Sequence, residues 1–367
     1  MRIHQMGSVL SAGDAVTNHI VEIDRRLKAW GFDTAIYGAD ISAAPAASIR
    51  PDTDYVPFID NADDLLIYHY SAYCENQALF HRSRNRKMLV YHNVTPAEFF
   101  RPYDPVYEAL CRRGRELLGG MLACELAVGA SEYNRRELVS AGYPAEKTAV
   151  LPYFLGVDDF QHHPRNEAYF RKFRTSGVTN ILFVGKVAPN KAFEDLIKIF
   201  AAYHRHVNPA SRLILVGARF LPRYDRFLNE LAARLGVSDA VVYTGRLRLP
   251  ELRACYEAAD LFLCASRHEG CCVPLLEAMY FHVPILARAE TAVPDTLGAG
   301  GVLFHALDYP TLAEVMDILS RDKTLRQQVI LAQDARLADY APARVEAKLR
   351  AVLEMVGVTL PAAVEVR

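Results

Sequence analysis

The stretch NILFVGKVAPNKAFEDLIKIFAAYHRH, residues 180–206, decides the fold. Its first part, NILFVG (180–185), is a short unbroken apolar run, the pattern of a strand buried on both faces. Gly185 closes the run where the backbone must turn tightly. From 192 the residues AFEDLIKIFAAYHRH read as an amphipathic helix. Strand, tight loop and helix make one β-α unit, and such units in series build parallel sheets.

Outward from this stretch the rhythm continues. Strand candidates follow at RLILVG (212–217), AVVYTG (240–245), LFLCAS (261–266), PILAR (284–288) and VLF (302–304), with a helix ELRACYEAA (251–259) between. The first half carries its own series: RIHQM (2–6), TAIY (34–37), LLIYH (65–69), MLVYH (88–92), LAVGA (126–130) and TAVLP (148–152). Helical patterns at 18–30 and 132–142 lie between them, the former with Ile20, Ile23, Leu27 and Trp30 on one face. Two series of this kind predict an α/β protein of two doubly wound, Rossmann-like sheets. The polar stretch 158–169 is the expected linker. The expected domains are 1–160 and 161–340, with a terminal helix and tail at 341–367 that packs back towards the first domain. After residue 308 the chain reads as helices alone.

Composition narrows the function. At 367 residues the chain suits two ordinary cores. Its 42 basic and 43 acidic side chains leave a net charge of -1, so no global field favours nucleic acid. No run is long and apolar enough to span a bilayer, and MRIHQMGSVL lacks the architecture of a signal peptide. Seven cysteines, odd in number and without a CxxC pair, predict reduced thiols in a cytoplasmic setting rather than a disulfide framework or a zinc site.

In open α/β sheets, ligands bind where strand ends meet helix N-termini. Two such loops carry chemistry. In the first, Gly185 is followed by Lys186 and Lys191, next to the start of a helix. Two ammonium groups and a positive helix end suit a diphosphate, although lysines in such a loop also occur as solvated surface charge. In the second, LFLCAS leads into Arg267, His268, Glu269 and Gly270, and a helix begins near Val273–Pro274. The backbone amides of Gly270, Cys271, Cys272 and Val273 are candidate donors to sugar hydroxyls or phosphate oxygens. Glu277 lies one turn further on, and a carboxylate accepts well from vicinal hydroxyls. The plainer reading is a pair of acids favoured by a helix N-terminus.

The conjunction of SRHEGCCVPLLEAM (266–279) with VGKVAPNKAFEDLI (184–197) resembles the retaining glycosyltransferases of family four, the glycosyl transferases group 1, which have the GT-B fold. YHNVTP (91–96), ASEYNRREL (130–138) and SAGDAVTNHI (11–20) are similar to the first domain of members that assemble bacterial polysaccharides. The resemblance implies two Rossmann-like domains facing a cleft. It implies that Glu277 holds the nucleotide ribose, that Glu269 meets the donor sugar, and that Lys186 and Lys191 neutralise the diphosphate leaving group without a metal. It places Gly13 and Asp14 near the phosphates and His92 near the donor sugar. Two positions depart from the family: Lys186 stands where arginine is common, losing a bidentate fork, and Cys271 stands where an aromatic is common.

The expected activity is transfer of a hexose, with retention, from a nucleotide sugar to a growing, lipid-linked glycan. GDP-mannose is the first donor expected and a UDP-hexose the second. No further cofactor is called for. His69 and Tyr70 end another strand on the same side. The segment 108–122, with Arg112, Arg113 and Arg115, reads either as an ordinary packed helix or as a contact to anionic lipid or a lipid-linked acceptor at the inner membrane face. Two rivals stay open: a nucleotide-sugar 2-epimerase on the same fold, and a non-catalytic glycan- or nucleotide-binding subunit. A dinucleotide dehydrogenase is disfavoured because GxGxxG is missing from both first loops.

Overall fold

The computed structural model describes residues 1–43 and 49–361. The chain divides into two compact units. The first takes Met1–Ala97, Val106–Phe154 and Pro342–Arg367; the second takes Glu98–Pro105 and Leu155–Ala341.

The first unit is built on seven parallel strands. They are β1 (Arg2–Ser11), β2 (Asp33–Ala43), β3 (Ile49–Pro51), β4 (Leu65–Tyr70), β5 (Arg86–Tyr91), β6 (Leu126–Gly129) and β7 (Thr148–Val150), in the order β3-β2-β1-β4-β5-β6-β7. Successive side chains leave a strand on opposite faces. Leu65 and Ile67 of β4 and Met88 and Val90 of β5 face one way. They meet Ile23 and Leu27 of the helix Ala15–Ala29, and Val345, Leu349, Val352 and Leu353 of the helix Pro342–Met355. Leu66, Tyr68, Tyr70, Leu89 and Tyr91 face the other way into a second core that is rich in tyrosine.

The second unit has six parallel strands: β8 (Thr179–Val184), β9 (Ser211–Val216), β10 (Val241–Gly245), β11 (Leu261–Cys264), β12 (Ile285–Arg288) and β13 (Val302–Phe304). Their order is β10-β9-β8-β11-β12-β13. The order reverses between β8 and β11, so the loops after these two strands diverge and leave a crevice at the carboxyl ends. Both loops singled out in the sequence lie at this switch point.

All twelve expected strands occur, with ends displaced by a residue or two except in β1 and β2, which run further. The short β3 was not anticipated. The expected linker at 158–169 instead contains most of the helix Val157–His162 and the start of the helix Glu167–Phe173, the latter capped by Asn166 accepting from the Tyr169 amide at 3.0 Å. The chain leaves the first unit after Phe154, earlier than the expected 160. Of the expected terminal segment, residues 362–367 lie outside the described residues.

Candidate active site

In the second unit, β8 ends at Val184 and the Gly185 amide bonds to the Val216 carbonyl at 2.9 Å. The neighbouring strand β9 ends against it at Gly217, whose φ is 154°. A Cβ on Gly217 would stand 1.9 Å from the Gly185 oxygen, so only glycine lets the two loops approach this closely. Beyond Gly185 the Lys186 ammonium sits 3.8 Å from the centroid of the Phe220 ring, a cation–π contact. A tight turn, Pro189–Lys191, follows. Ala192 takes a left-handed conformation (φ 50°, ψ 52°) before the helix Phe193–His206 begins.

The loop after β11 lies against this turn. The Asn190 carbonyl accepts from the amides of Arg267 at 2.8 Å and His268 at 3.2 Å. The Asn190 side chain donates back to the His268 carbonyl at 3.0 Å. Lys191 Nζ then meets both carboxylate oxygens of Glu269, at 2.6 and 2.5 Å. The ammonium is 20% exposed and the carboxylate 6%. Burial alone would lower the Lys191 pKa, but the Glu269 carboxylate outweighs it and holds the group above its ordinary 10.5. The sequence treated Lys191 and Glu269 as separate contacts to a ligand; the structure joins them in one pair.

The helix Val273–Tyr280 follows, with Pro274 in its first turn and Cys272 at its cap in a left-handed conformation (φ 60°, ψ 58°). Proline fits there because the first N–H groups of a helix have no partner within it. Cys271 and Cys272 are buried. The Cys271 carbonyl accepts from the Thr296 hydroxyl. Further along the same helix, Glu277 Oε2 accepts from the Tyr256 hydroxyl at 2.6 Å. Burial raises the Glu277 pKa above its ordinary 4.5 although the Tyr256 bond pulls it down.

Residues 98–105 belong to this unit and lie beside the same loop. The Phe99 ring is 6.3 Å from the His268 ring and 5.3 Å from the Arg267 guanidinium carbon. Tyr103 meets Tyr224 edge-on at 4.8 Å. Tyr224 in turn donates to Glu194, which also receives Arg267. Sequence reasoning gave no sign of this strap.

In the first unit, Gly13 has φ 72° and Asp14 caps the helix Ala15–Ala29, accepting from the Thr17 amide at 3.1 Å. His92 follows the end of β5, inside a buried chain of hydrogen bonds. Gln5 donates to the Ile20 carbonyl at 3.1 Å, so its Oε1 is left as acceptor for His69 Nε2, also at 3.1 Å. His69 Nδ1 must then accept from His92 Nε2 at 2.9 Å, and His92 Nδ1 from the Tyr153 hydroxyl at 2.6 Å. Burial, then neighbouring imidazoles, holds both rings well below the ordinary 6.5 and keeps them neutral. Both ring nitrogens of His92, an expected catalytic residue, are thus committed to neighbours. His19, which the sequence did not single out, lies 5.7 Å from His92 between ring centroids, and burial lowers its pKa to about 3.

The three arginines of the helix Pro105–Leu118 are all exposed and each also has a neighbour within the first unit. Arg115 donates to the Val94 carbonyl at 2.7 Å and to Glu137 at 3.0 Å. Arg113 lies 4.8 Å from the centroid of the Tyr73 ring. Arg112 is 3.9 Å from Glu108. Among the described residues no helix is long and apolar enough to cross a membrane, and no group of three or more histidines, cysteines or acids is placed to hold a metal.

Comparison with known proteins bears on the fold and on the second unit. Residues 165–336 match the family model for glycosyl transferases group 1. Over 241 residues the chain is 27% identical to a GDP-mannose-dependent alpha-(1-6)-phosphatidylinositol monomannoside mannosyltransferase of Mycolicibacterium smegmatis, covering 59% of this chain and 62% of that one. It is 34% identical over 212 residues to a D-inositol 3-phosphate glycosyltransferase of Salinispora arenicola, covering 53% of this chain and 46% of the relative. The chain therefore spans about half to three-fifths of the length of the curated relatives it matches. Among solved structures, Anabaena Alr3699/HepE in complex with UDP and glucose superposes with a TM-score of 0.73 at 16% identity, covering 96% of this chain and 99% of that one. The shared fold is GT-B. Residues 165–336 of the chain are thus similar to the glycosyl transferases group 1 family.

Proposed function

We propose that the protein is a retaining glycosyltransferase that moves a hexose from a nucleotide sugar to a lipid-linked glycan at the cytoplasmic face of the membrane. The observation that carries this reading is the Lys191–Glu269 pair at the switch point of the second sheet, with Glu277 further along the same loop and helix. An ammonium carries three donors and Glu269 takes two. The third N–H of Lys191 is assigned to a phosphate oxygen of the donor. Lys191 also lets an acid sit close to an anionic ligand, because its charge offsets that of the Glu269 carboxylate. Glu269 is left to accept from a hydroxyl of the sugar, and Glu277 from the ribose.

As the sugar–phosphate bond breaks, negative charge collects on the leaving diphosphate. Lys191 and Lys186, with the N-terminus of the helix Phe193–His206, stabilise that charge. Two charge-assisted contacts that strengthen in this way supply roughly 3–6 kcal/mol. This reading requires no metal. GDP-mannose is the favoured donor and a lipid-linked acceptor is favoured with it, since the Mycolicibacterium smegmatis relative is named for both.

The test is thermal unfolding with UDP, GDP and ADP, each in excess and with EDTA present. A nucleotide at a hundred times its dissociation constant adds about 2.7 kcal/mol. The expected result is one stabilising base, lost in Glu277→Ala and kept in Glu269→Ala, with Glu269→Ala losing transfer. If no nucleotide stabilises the wild-type protein, the donor site is not where this reading puts it.

A further inference from the structure

Among the described residues five that are not glycine have positive φ: Asn93, Ala192, Cys272, His282 and Thr291. Of these Thr291, at 51°, is the one branched at Cβ. A left-handed backbone crowds Cβ against the following carbonyl, most severely in a branched residue, and glycine would adopt it without that cost. Strain held in this way marks places where the surroundings demand one geometry.

The demand is visible. Thr291 Oγ1 accepts the amide N–H of Glu269 at 2.8 Å. Five residues on, Thr296 donates to the Cys271 carbonyl. The segment after β12, a loop carrying Thr291 and the short helix Val293–Leu297 carrying Thr296, thus holds the glutamate loop at two points, while Asn190 holds Arg267 and His268 from the other side. Between these supports the Glu269 side chain meets Lys191.

We infer that Thr291 is a positioning residue, whose hydroxyl on the Glu269 amide fixes where the Glu269 carboxylate stands against Lys191. The strained backbone is what aims that hydroxyl. The consequence for turnover rests on the reading that Glu269 meets the donor sugar.

Three substitutions separate the parts. Thr291→Ser keeps the oxygen, Thr291→Val keeps the shape without an acceptor, and Thr291→Gly removes both the oxygen and the strain. Nucleotide release from GDP-mannose and UDP-glucose is measured beside binding of GDP and UDP and unfolding in urea. Turnover is expected to fall by about tenfold to a hundredfold in Thr291→Val and Thr291→Gly, as for a displaced reacting group. Thr291→Ser restores it, nucleotide binding is unchanged in all three, and Thr291→Gly unfolds at a urea concentration no lower than wild type. Wild-type turnover in Thr291→Gly overturns the inference.

A second arm needs no ligand. The urea midpoint shifts of Thr291→Val and Lys191→Met, alone and combined, are expected to be non-additive because both act on Glu269. Strict additivity overturns the inference. If the shifts are coupled and the wild-type protein turns over neither sugar nucleotide, the positioning role stands and the reading of the site as a transferase centre falls.

Discussion

Replacing Lys191 by methionine tests the central pair most directly. The change keeps the unbranched apolar stem of the side chain and removes the terminal ammonium. It strands Glu269, whose two oxygens lose donors at 2.6 and 2.5 Å and whose side chain is 6% exposed. Removing one partner of a buried pair costs about 3–5 kcal/mol, chiefly because the other charge is left uncompensated. The ammonium here is a fifth exposed, so water already screens part of the interaction and the lower end, about 3 kcal/mol, applies. For a domain the size of the second unit that is a fall of roughly 6–12 °C in its melting temperature. Calorimetry at pH 7 reads it. The sign with pH is fixed by which group is perturbed. In the wild-type protein the Lys191 pKa is raised, so its contribution persists through neutrality and is lost only in strong alkali, above the ordinary 10.5. Adding Glu269→Gln to Lys191→Met should recover most of the loss by removing the unpaired charge. A single mutant that melts with wild type at pH 7, or a double mutant no better than the single one, refutes the account of the pair.

Further outcomes are expected at Glu277, Gly217 and the segment 98–105. Glu277→Gln should raise stability at pH 7, because burial holds the folded carboxyl above its ordinary 4.5 and penalises the ionised form; the gain fades as pH falls through the raised folded value and is gone below 4.5. The same variant should bind nucleotide roughly tenfold more weakly, the loss of one charged hydrogen bond, as read by calorimetric titration. Gly217→Ala drives a Cβ to 1.9 Å from the Gly185 oxygen and should cost more than about 4 kcal/mol in denaturant unfolding, or fail to fold. Phe99→Ala and Tyr103→Ala should each cost about 1–2 kcal/mol in the second unit. They should also speed proteolysis between residues 98 and 105, a site that a merely solvated loop would expose already in wild type.

The architecture was legible because buried parallel strands announce themselves as apolar runs between helical patterns. The runs LLIYH and NILFVG are of this kind. The strand β3 was not, because three residues ending in Pro51 at a sheet edge carry no period. The helices within 158–169 were hidden by their polarity, since short helices such as Glu167–Phe173 depend on caps and neighbours more than on a stripe. Lys191, Glu269 and Glu277 could be singled out from their loops, but a separation of 78 residues says nothing of the bond between Lys191 and Glu269. Thr291 and Asn190 escaped for a related reason: a short polar side chain between regular elements reads the same whether it faces water or a neighbouring backbone group. Arg115 is exposed, as a surface charge would be, and its bonds to Val94 and Glu137 could not be read from its position in the sequence. Gln5 and His19 lie in elements read for their apolar positions, so the buried polar chain around His92 was seen only at His69 and His92.

The terminal helix Pro342–Met355 has a consequence for how the chain is made. Its Val345, Leu349, Val352 and Leu353 complete the core formed by Ile3, Ile23, Ile67 and Val90. On the ribosome those early strands emerge with one wall absent. It stays absent while residues 155–341 are synthesised, roughly 10–40 s at ordinary rates of elongation. The second unit waits for nothing comparable, because its out-of-sequence piece, Glu98–Pro105, has been translated before the rest of it begins. The half that comes second in the chain can therefore close first. The nascent first half must keep an apolar sheet face from aggregating until the last turns of helix arrive.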